Sequence, residues 1–315
     1  MATRTVAIET CDLSKVYRKH LGRKPKPTLI GLNLQVYENE IYGFLGKNGA
    51  GKTTTIKILC GLMKPNTGTA RILGQSVPSR DARKLVGYLP ENPYFYEYLT
   101  PKETLQFYGK LRGLDAKERA REWDRLSEDL DLRTIADQRV RGFSKGMRQR
   151  LGFAVALVGN PPIVILDEPM SGLDPMGRRR IRDLIIRLRD DKKTVFFSSH
   201  VLADVELISD RVGMLVNGRL HRQGVMDDLL ATRVQLVEVV ARGLAPHVAQ
   251  DIARDAYRTR HTEENDHFSF SDMEKANAAV AEILAHGAKL LEFSPVRESL
   301  EDYFVREQVQ VEVGA

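Results

Sequence analysis

Residues 46–53 read GKNGAGKT, which fits the phosphate-binding pattern GxxxxGK[ST]. The apolar run 41–45 precedes this stretch, and residues 54–59 after it are typical of a helix start. Glycines here let backbone N–H groups turn toward phosphate oxygens, and the positive end of the helix dipole faces the same point. A chance match is expected in roughly one chain of this length in a hundred. We therefore predict a strand, a phosphate loop and a helix.

The phosphate loop (residues 46–53) predicts specific contacts with a nucleotide. Lys52 supplies positive charge near the β- and γ-phosphates, and the Thr53 hydroxyl is a ligand for Mg²⁺. The motif indicates nucleotide binding and does not distinguish among the unrelated NTPases that carry it. The predicted nucleotide-binding residues of this segment are Gly46, Lys47, Asn48, Gly49, Ala50, Gly51, Lys52, Thr53 and Thr54.

Composition is that of an ordinary globular protein. The chain has 315 residues, 42% of them hydrophobic and 29% charged, enough for one large and one small domain. It has no apolar run of about 18 residues, and residues 1–10 lack a signal-peptide core, so we expect a cytoplasmic protein. The net charge of +6 suits an anionic membrane surface or a nucleic acid, although a nucleotide-binding protein with a moderate positive charge needs no nucleic acid to explain it. Cys11 and Cys60 lie in apolar-patterned segments and are predicted to be buried thiols.

Hydrophobic periodicity predicts an α/β domain with an antiparallel subsheet and a helical insert. Alternating apolar and polar side chains predict strands at 6–13 and 29–36, and a short strand at 69–73 after a turn at 66–68. From residue 100 to about 137 the pattern is helical, beginning with a capping box of Thr100 and Glu103. Beyond the insert, the pattern predicts strands at 163–166 and 194–198, a hairpin from 212, and helices at 181–188 and 201–208.

A small α+β module follows. Its pattern predicts strands at 236–240, 268–270 and 289–293 and helices at 246–254, 273–286 and 298–306. We assign residues 5–232 to the large domain, with a helical subdomain at about 92–160, and residues 235–306 to the small domain.

Two acids end the buried strand predicted at 163–166. Asp167 and Glu168 would lie at the carboxyl edge of a parallel sheet, where ligands bind. We predict that Asp167 helps to hold Mg²⁺ and that Glu168 orients and deprotonates the attacking water, because phosphoryl transfer depends mainly on positioning and charge neutralisation. Alternatively, the two acids cap the following turn. His200 follows the strand 194–198 in the same way, although a lone histidine is more often structural.

A second anion site is predicted at the start of a later helix. Ser144 is a good N-cap, and its hydroxyl and the N–H of Gly146 would face an anion there. The alternative is a capped helix with no ligand.

Together these segments resemble the ATP-binding subunits of ABC transporters over roughly residues 5–232. The family's motifs occur in order, with the phosphate loop as Walker A, Glu91 in the Q-loop position, 144–147 as the signature, 164–168 as Walker B, 171–174 as the D-loop and His200 as the switch histidine. Such a set of ordered motifs at family-like spacing is far more specific than the phosphate loop alone. Tyr17 matches the aromatic residue that stacks on adenine in this family.

The resemblance implies a site shared by two copies. Two such domains of the family pack head to tail, and each ATP lies between the Walker motifs of one and the signature of the other. Ser144 and Gly146 are then expected to contact the γ-phosphate of an ATP held by the partner copy. His200 would contact the γ-phosphate in its own copy, and Asp174 would couple the two sites. Because the chain carries one of each motif, we expect a second ATP-binding subunit, most simply an identical one.

Two departures from the family pattern point to a subgroup. Glu91 stands where glutamine is usual, and FSKGM at 143–147 replaces the commoner LSGGQ. Both features, and the small C-terminal module, resemble exporter ATPases of the drug, antibiotic, polysaccharide and copper-maturation type. Glu91 is still expected to approach Mg²⁺ or the attacking water. The aromatic segment 94–99 and the helical insert are expected to receive a membrane subunit, with simple packing inside the domain as an equal alternative.

The sequence thus predicts an ATPase subunit, acting on ATP with Mg²⁺, that drives a separate polytopic permease, most simply in export, from the inner face of the membrane. One alternative is a soluble ABC ATPase acting on ribosomes or DNA, although the usual tandem domains or long coiled-coil insertion are lacking in this sequence. Another is a regulatory or resistance protein that binds ATP without transport. We expect no nucleic-acid partner. The predicted catalytic residues are Lys52, Glu168 and His200, and the predicted metal ligands are Thr53, Asp167 and Glu91.

Overall fold

The structure is a computed structural model that describes residues 4–17, 27–230, 234–262, 264–297 and 300. Contacts within the chain divide it into two compact units, Met1–Met226 and Asp227–Ala315. The domain bounds assigned from the sequence stay a prediction. None of the helices described is long and apolar enough to cross a membrane.

Strands and helices alternate through most of the first unit. Its strands are β1 (Val6–Val16), β2 (Pro27–Tyr37), β3 (Ile41–Leu45), β4 (Thr67–Ile72), β5 (Gln75–Val77), β6 (Val86–Leu89), β7 (Ile163–Asp167), β8 (Thr194–Ser199), β9 (Arg211–Val216) and β10 (Arg219–Val225). Its helices are α1 (Lys52–Leu59), α2 (Arg80–Lys84), α3 (Pro101–Leu111), α4 (Ala116–Asp129), α5 (Lys145–Leu157), α6 (Pro175–Asp190) and α7 (Leu202–Ile208).

A six-stranded sheet positions the predicted site. Its order is β10-β9-β3-β8-β7-β6, and all neighbours are parallel except the β9–β10 hairpin. The register pairs Leu45 with Ser199 and Asp167 with Ser198, so β3, β7 and β8 end at one edge. The phosphate loop and the segments after Asp167 and Ser199 therefore leave the sheet side by side, where parallel sheets bind ligands.

The central strands form because their side chains are covered on both faces. Every residue of β3, β7 and β8 is buried, as expected for continuous apolar runs in a parallel sheet. The Phe196 ring lies 5.7 Å from that of Tyr42 and 5.3 Å from that of Phe44, which locks β3 against β8. The strands predicted at 163–166 and 194–198 and the hairpin from 212 are confirmed.

A second, antiparallel sheet has the order β2-β1-β4-β5. It confirms the predicted subsheet, but the turn predicted at 66–68 is wrong in part because β4 already begins at Thr67. Gly68 lies so close to β1 that a Cβ there would overlap the Asp12 carbonyl, so this glycine serves close strand packing. The buried-thiol prediction holds for Cys60 and is wrong for Cys11, which is exposed, because Thr10 takes the inward face of β1 and its neighbour points outward.

The helical insert consists of α3 and α4, and α5 packs on both. The predicted capping box of Thr100 and Glu103 is present, and Asp115 and Glu118 form a second at α4. The predicted helical stretch is interrupted between the two helices, where Gly113 adopts a φ of +81°.

The second unit is a four-stranded antiparallel sheet with two longer helices. Its elements are α8 (Met226–Leu230, starting at the division), β11 (Val234–Arg242), α9 (Pro246–Asp255), β12 (Arg258–His261), β13 (Asp266–Phe270), α10 (Met273–Ala285) and β14 (Lys289–Arg297). The order is β12-β13-β11-β14, and apolar residues such as Val239, Phe268 and Ile283 form its core. Strand β12 was missed because RTRH lacks an apolar alternation. The predicted helix 298–306 lies outside the described residues except for Leu300.

Candidate nucleotide site

The phosphate loop joins β3 to α1, as predicted. Gly51 is the N-cap of α1 with a φ of +116°, and a Cβ at this position would come within 2.7 Å of the Thr28 carbonyl oxygen. Gly49 also has a positive φ of +81°. Only glycine adopts these conformations without strain, so the two glycines let the loop fold over the end of the sheet. The Lys52 ammonium donates to the Gly46 carbonyl at 2.6 Å, which holds it under the loop.

Glu168 is buried between two basic side chains. Its Oε1 lies 3.2 Å from Lys52 Nζ, and its Oε2 lies 2.8 Å from His200 Nδ1. Although Oε1 is near the ammonium, it has no partner with hydrogen-bond geometry in the part of the chain described. Glu168 also adopts a left-handed backbone with a φ of +49°, a conformation that costs a non-glycine residue free energy. This backbone conformation directs the Glu168 carboxylate toward the cavity immediately after the strand ends.

Asp167 is held beside Glu168 by a serine. The Ser198 hydroxyl donates to Asp167 Oδ1 at 2.7 Å and accepts the Glu168 N–H at 2.9 Å. Thr53 Oγ1 lies 3.3 Å from the same Asp167 oxygen. Burial raises the pKa of the Asp167 carboxyl, and the hydrogen bonds from Ser198 and Thr53 oppose that rise. A cation bound by Thr53 and Asp167 would favour the ionised carboxylate.

Replacing Asp167 by asparagine should change how stability depends on pH. Because burial raises the pKa of Asp167 above its ordinary 3.8, the folded chain keeps this proton to a higher pH than the unfolded chain. The contribution of Asp167 to the free energy of unfolding is therefore fully present below pH 3.8 and falls as the pH rises through the folded pKa. The Asp167→Asn chain should gain stability relative to the natural chain over that interval. Urea unfolding at several pH values measures this, and a constant difference would contradict it.

A cavity of about 590 Å³ opens over these residues, within the usual size of ligand pockets. Its lining is Thr28, Lys47, Asn48, Gly49, Gly51, Lys52, Thr53, Thr54, Glu91, Glu168, Ser171 and His200. This phosphate-loop cavity brings together most of the predicted nucleotide residues, including Glu91. Gly46 and Ala50 support the loop from outside the lining, and Asp167 lies behind Thr53. Tyr17 lies beside the cavity, with its hydroxyl 3.2 Å from Thr54 Oγ1 and its side chain 41% exposed.

The other predicted anion site lies elsewhere in the unit. Ser144 caps α5 through the Met147 N–H, and Asp174 caps α6 through the Gly177 N–H. Ser144, Gly146 and Asp174 share a separate cavity of about 220 Å³, which we call the signature cavity. A Cβ at Gly146 would meet no atom within 4 Å, so packing inside one copy gives no reason for glycine there. The structure thus places these three residues around one cavity, which is separate from the cavity at the phosphate loop.

Four further residues contribute to the two cavities or their support. Thr28 and Ser171 line the phosphate-loop cavity, and Ser198 orients both acids. The buried amide of Gln149 on α5 donates to the Pro169 carbonyl at 2.7 Å, which ties the signature helix to the turn after Glu168. The position of Ser198 at the end of a strand neighbouring β7 was a usable signal in the sequence. Thr28 had none, because only the fold brings it to the phosphate loop.

The residues present fit ATP with a magnesium ion. The loop glycines leave room for phosphate oxygens beside the Lys52 ammonium, and the under-satisfied Glu168 oxygen faces the same space. No group of three or more His, Cys, Asp or Glu side chains in the described ranges could hold a metal by itself. Thr53 and Asp167 would therefore hold Mg²⁺ together with ATP oxygens and water, which is how Mg²⁺ usually binds.

Known proteins are similar to this chain. A family model described as ABC transporter matches residues 29–171. An uncharacterized ABC transporter ATP-binding protein of Synechocystis is 39% identical, covering 95% of this chain and 84% of that protein. A bacitracin transport ATP-binding protein of Bacillus licheniformis is 33% identical over 95% of this chain and 96% of its own. The dimeric structure of MJ0796, a bacterial ABC transporter cassette, is 25% identical with a TM-score of 0.64, covering 70% of this chain and 98% of that one.

Proposed function

This chain belongs to the ABC transporter family of ATP-binding subunits, which are ATPases, and on that premise we propose that it powers export through a separate permease as half of a dimer. The site for ATP at the phosphate loop of one copy is completed by Ser144 and Gly146 of the other copy. ATP closes the dimer, and hydrolysis reopens it. In this proposal Thr53 and Asp167 would hold Mg²⁺ and Glu91 would approach it, and the bound ion would supply positive charge to the phosphates.

The separation of the two cavities carries the dimer proposal. Within one copy the phosphate loop and the signature residues line different cavities, so neither surrounds a nucleotide alone. The signature cavity is open at its rim, where Met176 is 60% exposed. The related MJ0796 cassette is dimeric. A second copy, most simply an identical one, is the partner that these observations favour.

Complementation between two inactive chains should test the shared site. Gly146→Asp places a carboxylate in open space, so the chain should fold while the new charge repels the γ-phosphate of a partner's ATP. Lys52→Ala disables the other half of the site. Each variant alone should be inactive, but their mixed dimer contains one site with both an intact Lys52 and an intact Gly146. Mixing the purified variants should therefore restore ATP hydrolysis, measured as phosphate release.

A site contained within one copy predicts the opposite result. Each chain in the mixture would keep its own defect, so no hydrolysis would return. Mixing each variant with further copies of itself is the matched control for changes in total protein concentration.

We place the permease contact at the aromatic segment 94–99. Phe95 is buried and serves internal packing, whereas Tyr94 is 80% exposed and Tyr98 65%. Tyr96 is intermediate between a packed and an exposed side chain, since its ring lies 5.5 Å from that of Phe107 on α3. Exposed aromatic residues on a loop beside Glu91 are suitable anchors for a partner. Through this contact the subunit would lie on the inner face of the membrane.

Tyr94→Ala should separate ATP hydrolysis from permease binding. The isolated variant should hydrolyse ATP as before, because Tyr94 lies outside the phosphate-loop cavity. Capture of a polytopic protein from detergent-solubilised membranes should weaken by about 30-fold, as for a hot-spot residue of about 2 kcal/mol. Tyr257→Ala, which alters a 75% exposed tyrosine of the second unit, is the control. Unchanged capture would remove Tyr94 from the interface.

The same capture experiment tests transport against the alternative class. Recovery of a polytopic partner supports transport, whereas consistent recovery of ribosomes or nucleic acid would overturn it. Export is supported by Glu91 and the FSKGM signature, which resemble those of exporter ATPases, and the bacitracin-transport relative supports an antibiotic as the class of cargo. Cells producing the chain with its captured permease should resist a cargo antibiotic more strongly than cells with the Glu168→Gln chain. Greater sensitivity would indicate import.

A further inference from the structure

The loop 171–174 borders both cavities of the first unit. Ser171 lines the phosphate-loop cavity, while Leu173 and Asp174 line the signature cavity. A displacement of this short loop therefore changes the surroundings of the nucleotide and the surface offered to a partner. What holds the loop in place consequently matters for both.

Arg178 in the first turns of α6 holds this loop. Its Nε donates to the Leu173 carbonyl at 3.3 Å, and its Nη1 lies 3.7 Å from Asp204 Oδ2 on α7. Arg182, one turn further along α6, donates to the other oxygen of Asp204 at 3.0 Å. Asp204 is buried, and Oδ2 has no hydrogen-bond partner among the described residues. Arg178 is thus shared between a loop carbonyl and an under-satisfied buried carboxylate.

Asp204 lies in the first turn of helix α7, and His200 lies in the turn just before that helix. The helix begins at Leu202, and the Val201 N–H and the Ser199 hydroxyl close a tight turn at 2.9 Å just before it. His200 within this turn contacts Glu168 at 2.8 Å. A movement of His200 toward or away from the nucleotide would therefore carry the start of α7 with it. Since an unsatisfied buried oxygen favours gaining a donor, a small approach of α7 would draw Arg178 onto Asp204 and off Leu173.

We infer that Arg178 and Asp204 are positioning residues that relay the state of His200 to the loop 171–174, and so couple the two ATP sites of the dimer. The inference rests on the proposed shared-site dimer. The element with two arrangements is the guanidinium, which either divides its bonds between Leu173 and Asp204 or gives more of them to Asp204. Coupling between sites requires such an element, biased by both.

Arg178→Lys tests the relay, with Arg182→Lys as its matched control. A lysine at 178 keeps the charge opposite Asp204, but a single ammonium lacks the fixed fork that reaches two acceptors. At 182 the arginine contacts the same carboxylate and, among the described residues, makes no hydrogen bond or ion pair with the loop. We expect Arg178→Lys to lower the Hill coefficient of ATP hydrolysis to near one, a loss of coupling of at least about fivefold. Arg182→Lys should keep the natural cooperativity.

A structural defect and a coupling defect give different readouts. ATP affinity of the isolated monomer should match the natural chain in Arg178→Lys, because it does not depend on the second site. Any loss of thermal stability should be no larger than in Arg182→Lys, which alters a contact with the same carboxylate. Natural cooperativity in Arg178→Lys, or equal loss in both variants, would overturn the relay. So would a natural chain that passes the complementation test but hydrolyses ATP with a Hill coefficient of one. Failure of complementation itself would instead overturn the shared site.

Discussion

Glu168→Gln should bind ATP and remain as a closed dimer with almost no turnover. Glutamine keeps the shape of the side chain and cannot accept the proton of the attacking water. A positioned general base contributes about 10²–10⁴ in rate, and we expect a loss of that size in steady-state phosphate release. ATP contacts from Lys52 and Thr53 stay, so size-exclusion chromatography with ATP should show dimers that persist longer than those of the natural chain.

Glu40→Gln is the matched control for this change. Glu40 is also a buried glutamate in an ion pair, 2.9 Å from Arg211, but it lies away from the phosphate-loop cavity. Its neutralisation should affect stability and leave the turnover number within a small factor. Steady-state hydrolysis by Glu168→Gln at the natural rate would remove Glu168 from the role of general base.

Lys52→Ala should abolish tight ATP binding. The ammonium is buried under the loop, where it contacts the Gly46 carbonyl and Glu168, so it is placed to meet the β- and γ-phosphates. A hydrogen bond to a charged group contributes about 1.5–3 kcal/mol, which corresponds to an affinity loss of about 10- to 150-fold. The truncation also leaves the Glu168 carboxylate facing phosphate without a lysine, which adds to the loss. Calorimetric titration with ATP measures the change.

The control lies on the same helix. Lys57 on α1 is exposed and outside the cavity lining, and Lys57→Ala removes one positive charge from the same net total. Its ATP affinity should stay within about twofold at moderate salt, because Lys57 does not line the cavity and salt screens exposed charges. Equal ATP affinity in Lys52→Ala and the natural chain would contradict the phosphate role of Lys52.

The sequence predicted those parts of the site that lie in a short motif at the end of a predicted strand. Lys52 and Glu168 are 116 residues apart in number yet meet at 3.2 Å, and the rule that parallel strands share a ligand edge anticipated this meeting. Other features could not be predicted from sequence patterns. Thr28 reaches the cavity only because the fold brings β2 beside Gly51 of the phosphate loop, and β12 is too polar for periodicity to reveal. The separation of the signature cavity likewise depends on how α5 and α6 pack.

The ion pair of Lys52 with Glu168 gives the Lys52 ammonium a counterion from within the chain. A phosphate group that contacts this ammonium must compete with a carboxylate 3.2 Å away. The affinity of an anion for Lys52 should therefore include the free energy of displacing the Glu168 carboxylate as well as that of the new contact.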